Sequence, residues 1–230
     1  MNMNEATKTE TKSEWIDGAL SHFSAVIANP ENAGAHLNLA IWLQREERWD
    51  AAAEAFERSL GFDPQSEAAR IGLGACLLKL NRIEEALDIF SQSGDAPGPA
   101  LFGKAVALQL LHRFDEAESA YEILLESQPN SEETLANLIA MSAETRDLEH
   151  MREYSQKLLA LSPQSTVALE GLATVALERR DHHAAARYCD RIVQMAPDCL
   201  EGWHNLRIAL DRILSAFTQS KPAASMPGVK

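Results

Sequence analysis

The sequence predicts an all-α fold, a solenoid of about five helix-turn-helix units with a capping helix at each end. Three observations predict it. First, Pro30, Pro64, Pro129, Pro163 and Pro197 are separated by 34, 65, 34 and 34 residues, and 65 is one full period plus a copy shortened by three. Each proline closes an apolar-periodic stretch (IANP, GFDP, ESQP, ALSP, QMAP), where it ends a helix because it cannot continue the hydrogen-bond ladder. Second, a leucine beside a small residue recurs at one place in the period, as in Leu39-Ala40, Leu73-Gly74 and Leu172-Ala173, with another apolar residue one turn on. Third, short polar turns follow at fixed places: REER, KLNR, LHR, ETRD and ERRD.

Composition sets the outer limits. The chain has 230 residues, 46% of them apolar, enough for a sizeable folded core. Lys and Arg total 21 against 34 Asp and Glu, a formal charge of -13, which repels phosphate backbones and argues against nucleic acid as partner. The start, MNMNEATKTETKSEW, carries no apolar run behind a basic segment, and no stretch is apolar enough to span a bilayer. Membrane insertion is therefore not expected. The odd, widely spaced set Cys76, Cys189 and Cys199 reads as thiols in a reducing compartment, so the expected location is cytoplasmic.

Taken in order, residues 1–12 lack periodicity and are expected to be a flexible tail. A cap helix is expected over 14–28, with Ser13 as N-cap; it reads like the second helix of a hairpin that lacks its first. Repeats are expected at about 33–64, 67–97, 98–129, 132–163 and 166–197, completing a solenoid over residues 13–218. In the shortened copy the missing residues fall at SGDAPGP, whose glycines and prolines break helices. The fourth copy, with Ser142, Met151 and Ser155 at packing positions, is expected to be looser. A closing helix over 199–217 follows, with Arg207 where other copies carry a small residue, and 219–230 is expected to be a flexible tail.

The second helices open with Trp49, Ile83, Phe114, Leu148 or His182. They then place Ala52, Ala86, Ala117, Met151 or Ala185 three residues on, and Phe56, Phe90, Tyr121, Ser155 or Cys189 one turn beyond. This 34-residue pattern resembles the tetratricopeptide repeat (TPR) family from about Trp15 to Phe217. It departs from the family at position four, usually Trp, where His36, Arg70, Leu101, Leu135 and Leu169 stand and only Trp203 agrees, and at Lys104, which replaces a leucine. The resemblance implies a right-handed α-solenoid and a non-enzymatic scaffold or adaptor, one that binds a peptide or amphipathic helix of another protein in a concave groove.

The resemblance also places the first helix of each repeat on that concave surface, lined by the sixth positions: Asn38, Gly72, Gly103, Asn137, Gly171 and Asn205. Asn is expected to grip a ligand's backbone, because an amide both donates and accepts. Gly is expected to leave room for the ligand, although both residues are also tolerated on an ordinary exposed helix face. Leu37, Ile41, Ile71, Phe102, Val106 and Gln109 share the face, with Arg45 and Lys79 near the helix ends. Of the Lys/Asn/Lys/Arg constellation with which some family members hold chaperone C-termini, only Asn38 and Lys79 are present.

Other chemistry finds little support. His182, His183 and Cys189 are the densest set of ligand types, but His182 and Cys189 stand where other copies have aromatic packing residues, so no metal site is expected. Gly72-x-Gly74 lies inside a helix with no preceding strand, so it is no phosphate loop. No cofactor and no catalytic residues are expected. Two alternatives to a peptide-binding scaffold remain: a regulatory or targeting subunit of a larger enzyme or secretion assembly, and self-association in which one cap docks into another copy's groove.

Overall fold

A computed structural model describes the backbone of residues 3–219 and the side chains of residues 16–216. The described residues form helices joined by short turns, with no strand among them. Two compact units divide the chain, Met1–Ser127 and Gln128–Lys230. The N-terminal unit holds α1 (Met3–Ala28) and three hairpins: α2 (Ala33–Arg45) with α3 (Trp49–Phe62), α4 (Glu67–Lys79) with α5 (Ile83–Ser91), and α6 (Pro99–Leu110) with α7 (Phe114–Ser127). The C-terminal unit holds α8 (Glu132–Thr145) with α9 (Leu148–Leu161), α10 (Thr166–Glu178) with α11 (His182–Met195), and α12 (Leu200–Gln219).

Local chemistry sets the breaks. Within each hairpin the first helix ends on a left-handed residue, Glu47, Asn81, His112, Arg146 or Arg180, with φ between 56° and 60°. The next amide then reaches back to a carbonyl five residues earlier, as in Arg48 N to Leu43 O at 2.9 Å and Asp181 N to Ala176 O at 2.8 Å. This closure satisfies carbonyls that a helix end leaves orphaned. The following first helix is restarted by a side chain that accepts its first amides: Asn32, Ser66, Ser131 and Ser165 serve α2, α4, α8 and α10. At α6 Gly98 has no side chain to offer, and Pro99 supplies the helical φ instead.

Packing then layers the hairpins. In the N-terminal unit α2 touches α4 and α4 touches α6, so the first helices form one layer and α3 and α5 pack against it. α8, α10 and α12 make the corresponding layer in the C-terminal unit. Phe56 and Phe90, 1% and 2% exposed, are the large wedges of the N-terminal core.

At position four, where the sequence departs from Trp, Leu101 and Leu135 are fully buried apolar side chains, while in the other four copies the nearby proline carbonyl receives a hydrogen bond. His36 Nε2 meets Pro30 O at 2.8 Å, Arg70 Nη1 donates to Pro64 O at 2.7 Å, and Trp203 Nε1 donates to Pro197 O at 2.8 Å. Leu169 cannot donate, and Arg191 from α11 reaches Pro163 O at 2.7 Å in its place. A ring or guanidinium N–H thus satisfies the carbonyl beside the chain reversal in all four cases. Lys104, at another departure, lies half-buried and pairs with Asp95 at 2.6 Å.

Two expectations are corrected here. α1 begins at Met3, well before residue 14, so helix covers most of the expected 1–12 tail and Ser13 lies inside the helix rather than capping it. The sequence holds no Pro or Gly before Gly18 to stop a helix in this stretch. The fourth copy is not loosely packed: Ser142, Met151 and Ser155 are 3%, 2% and 0% exposed. Its volume has been exchanged across the hairpin, with Ile139 at the small position of α8 and Ser155 at the large position of α9. The expected tail at 219–230 falls, beyond Gln219, outside the described residues.

Candidate functional site

The N-terminal unit brings most of the sequence-derived groove residues onto one layer. Leu37 and Ile41 on α2 and Ile71 on α4 are half-buried and rest on the unit's core, as does Leu78. Phe102 and Val106 on α6 are half-buried as well. Phe102 meets Tyr121 edge-on, with ring centroids 6.1 Å apart. These side chains form an apolar strip across three neighbouring helices, α2 and α6 giving residues one turn apart and α4 residues two turns apart.

Polar groups border the strip. Asn38 is exposed on α2, and Arg45 and Lys79 are exposed in the last turns of α2 and α4. There the cations also complement the negative ends of the helix dipoles. Neither enters an ion pair among the described residues, whereas Lys104 is held by Asp95, and Arg70 by Pro64 O and Ser93 Oγ. Glu67 is the only carboxylate in α2, α4 and α6. Gln109 accepts a hydrogen bond from the Tyr121 hydroxyl at 3.1 Å, so its amide oxygen is tied to the hairpin.

The three asparagines do not gather on one unit. Asn137 on α8 and Asn205 on α12 are half-buried in the C-terminal unit, with α10 between their helices. The surroundings there are acidic. Glu170 on α10 has its carboxyl pushed above the ordinary range, chiefly by burial and then by the neighbouring Glu201 charge.

The glycines at position six do not open the groove. A Cβ on Gly72 would lie 2.2 Å from the Phe56 ring, one on Gly103 2.3 Å from the Phe90 ring, and one on Gly171 2.2 Å from Ser155 Oγ. Each is the seat of the preceding second helix, and all three are buried. Phe90 is pinched on two sides, since a Cβ on Gly74 would come within 2.5 Å of it. The missing side chain makes room for an internal phenyl or hydroxyl and none for a ligand. The sequence did carry the signal at Gly72 and Gly103, which coincide with Phe56 and Phe90 one helix earlier, but not at Gly171, whose mate is Ser155.

Sequence reasoning missed two other features. Trp42 is half-buried, stacks on His22 with ring centroids 5.9 Å apart and sits over Gly18, and Trp203 is 50% exposed. A shallow hollow of about 230 Å³ lies among α1, α2 and α3, lined by Phe23, Val26, His36, Leu39, Glu54 and Arg58 among others.

Profiles of the tetratricopeptide repeat match residues 16–67 and 43–99. PilW, described as a widely conserved type IV pilus biogenesis factor, superposes with a TM-score of 0.70 at 22% identity, over 91% of this chain and 100% of its own. PilF from Pseudomonas aeruginosa gives 0.68 at 18%, over 87% and 93%. YrrB, described as a TPR protein with an unusual peptide-binding site, gives 0.66 at 18%, over 81% and 97%. At these identities the likeness is one of fold. The sequence matches none of the curated proteins.

Proposed function

We propose, on the premise that this chain belongs to the tetratricopeptide repeat family, that it is a non-enzymatic binding module that holds a segment of another protein on the first-helix layer of its N-terminal unit. One observation carries the reading: the half-buried strip of Leu37, Ile41, Ile71, Phe102 and Val106 is bordered by the exposed cations Arg45 and Lys79. Apolar side chains of the segment would be buried against the strip, at roughly 25 cal/mol per Å² before ordering costs. The cations favour a segment with acidic flanks, and Asn38 offers its amide to the segment's backbone. Asn137 and Asn205 offer the same chemistry separately, on the C-terminal unit. The peptide-binding site named for YrrB adds an analogy of fold.

A panel of apolar peptides with acidic, neutral and basic flanks, read by fluorescence anisotropy, tests this. Acidic flanks are expected to bind tightest. Ile71→Glu should abolish binding, and joint charge reversal at Arg45 and Lys79 should weaken it about tenfold, or roughly 1.4 kcal/mol. Equal affinity for all three flanks, or binding indifferent to Ile71→Glu, would sink the proposal.

A further inference from the structure

We propose that two copies of this chain associate through the outer face of α1, independently of any ligand on the inner layer. The observation is a departure from register. Ile16, Leu20 and Phe23 stand one 34-residue period before Asp50, Glu54 and Glu57 of α3, which face solvent; Glu84, Asp88 and Ser91 do the same one period further on, in α5. Where the other outer helices of the N-terminal unit turn acidic or polar side chains to water, α1 turns an apolar stripe. Ile16, Leu20, Phe23 and Ile27 are 43%, 60%, 46% and 77% exposed. The adjoining side of α1, at Ala19 and Val26, meets the α2 hairpin, and Phe23 stands at the edge between the two faces, bordering the hollow.

The stripe's own pattern argues for a second copy. Its spacing is four, three, four, the seam of a helix that pairs with another of the same spacing. A two-fold axis between Leu20 and Phe23 sets each Leu20 on the partner's Phe23 and each Ile16 on the partner's Ile27. This antiparallel arrangement also keeps the two Asp17 carboxylates at opposite ends. Charge points the same way. On a chain of formal charge -13, Gly18 to Ala28 contains no Asp, Glu, Lys or Arg, so two copies meet there without the repulsion that acts elsewhere. The patch amounts to a few hundred Å² per copy, an interface at the small end of the range, which implies a weak, reversible dimer.

Sedimentation velocity on the full chain, from low micromolar to submillimolar protein, tests this. A concentration-dependent monomer–dimer equilibrium is expected. Leu20→Glu and Ile27→Glu, both at exposed positions, should each raise the dissociation constant at least tenfold with unchanged helical circular dichroism. In a Cys199→Ser background, Leu20→Cys mixed with Phe23→Cys should form an intermolecular disulfide faster than either variant alone. A chain that stays monomeric throughout, or a dimer that survives both glutamates, overturns the proposal. Faster cross-linking of Leu20→Cys with itself overturns the antiparallel seam. A stripe covered by a segment of this chain, or reserved for a different protein, would appear as the monomeric result.

Discussion

Gly72 shows how one residue's role is decided by its neighbour. In an exposed helix interior, replacing Gly by Ala is worth up to about 1 kcal/mol of stability, through propensity and a less flexible unfolded chain. At Gly72 the new methyl would meet the Phe56 ring at 2.2 Å, and overpacking of about 1–3 kcal/mol outweighs that gain. Gly61, near the end of α3, has nothing within 4 Å of a built Cβ. Gly72→Ala is therefore expected to lower the urea midpoint and Gly61→Ala to raise it. Ser155 offers a second contrast. Its hydroxyl is fully buried and has no hydrogen-bond partner. Ser155→Ala removes an unsatisfied group and should be neutral or stabilising by about 1 kcal/mol, read in the same denaturation experiment. The buried thiol of Cys76 is pushed up to about 11 by desolvation, which keeps it protonated and unreactive at neutral pH.

At the scale of an element, caps decide where helices start. Asp147 opens α9 by accepting from Glu149 N at 3.1 Å and His150 N at 3.0 Å, and the His150 ring lies 3.0 Å from its other oxygen. The His150 amide is the main reason its carboxyl is held below the ordinary range. A carboxyl with a lowered folded pKa adds stability above its unfolded value, and that stability is lost as pH falls through the folded one. Asp147→Ala should cost about 1 kcal/mol at neutral pH, and the cost should shrink on acidification. Paired denaturation curves at neutral and acid pH check the sign. A cost that grows as pH falls would contradict this account of the cap. The hairpin turns are legible in the sequence only as polar. Their left-handed residues are Glu, Asn, His and Arg rather than the usual Gly, so composition does not reveal that backbone geometry.

Across the whole molecule, charge is sorted by layer within each unit. On α2, α4 and α6 the cations Arg45, Arg70, Lys79 and Lys104 face one carboxylate, Glu67. The outer helices α3, α5 and α7 carry Asp and Glu throughout, with Arg58 their sole cation. In the C-terminal unit the first helices α8 and α10 carry Glu132, Glu133, Glu144, Glu170 and Glu178 and no cation. Net charge alone hides this sorting. An acidic-flanked peptide on the N-terminal layer should thus lose affinity as salt rises past 0.1 M, where the screening length is about 10 Å. The same titration on Arg45→Glu/Lys79→Glu should be nearly flat. Equal salt slopes for the two proteins would remove electrostatics from the recognition.

The sequence by itself determined the period and the hairpins, because proline, small residues and apolar spacing act locally and repeat. It also put Leu37, Ile41, Ile71, Phe102 and Val106 on one face, since helical spacing alone does that. Only the tertiary structure decided what each small residue is for. Gly103 seats a phenyl from the preceding helix, Ile139 fills the volume that Ser155 leaves, and Ile16, Leu20 and Phe23 face water where their register mates are polar. Those facts depend on residues a full helix or more away in the chain, and close packing couples them through space rather than along the sequence.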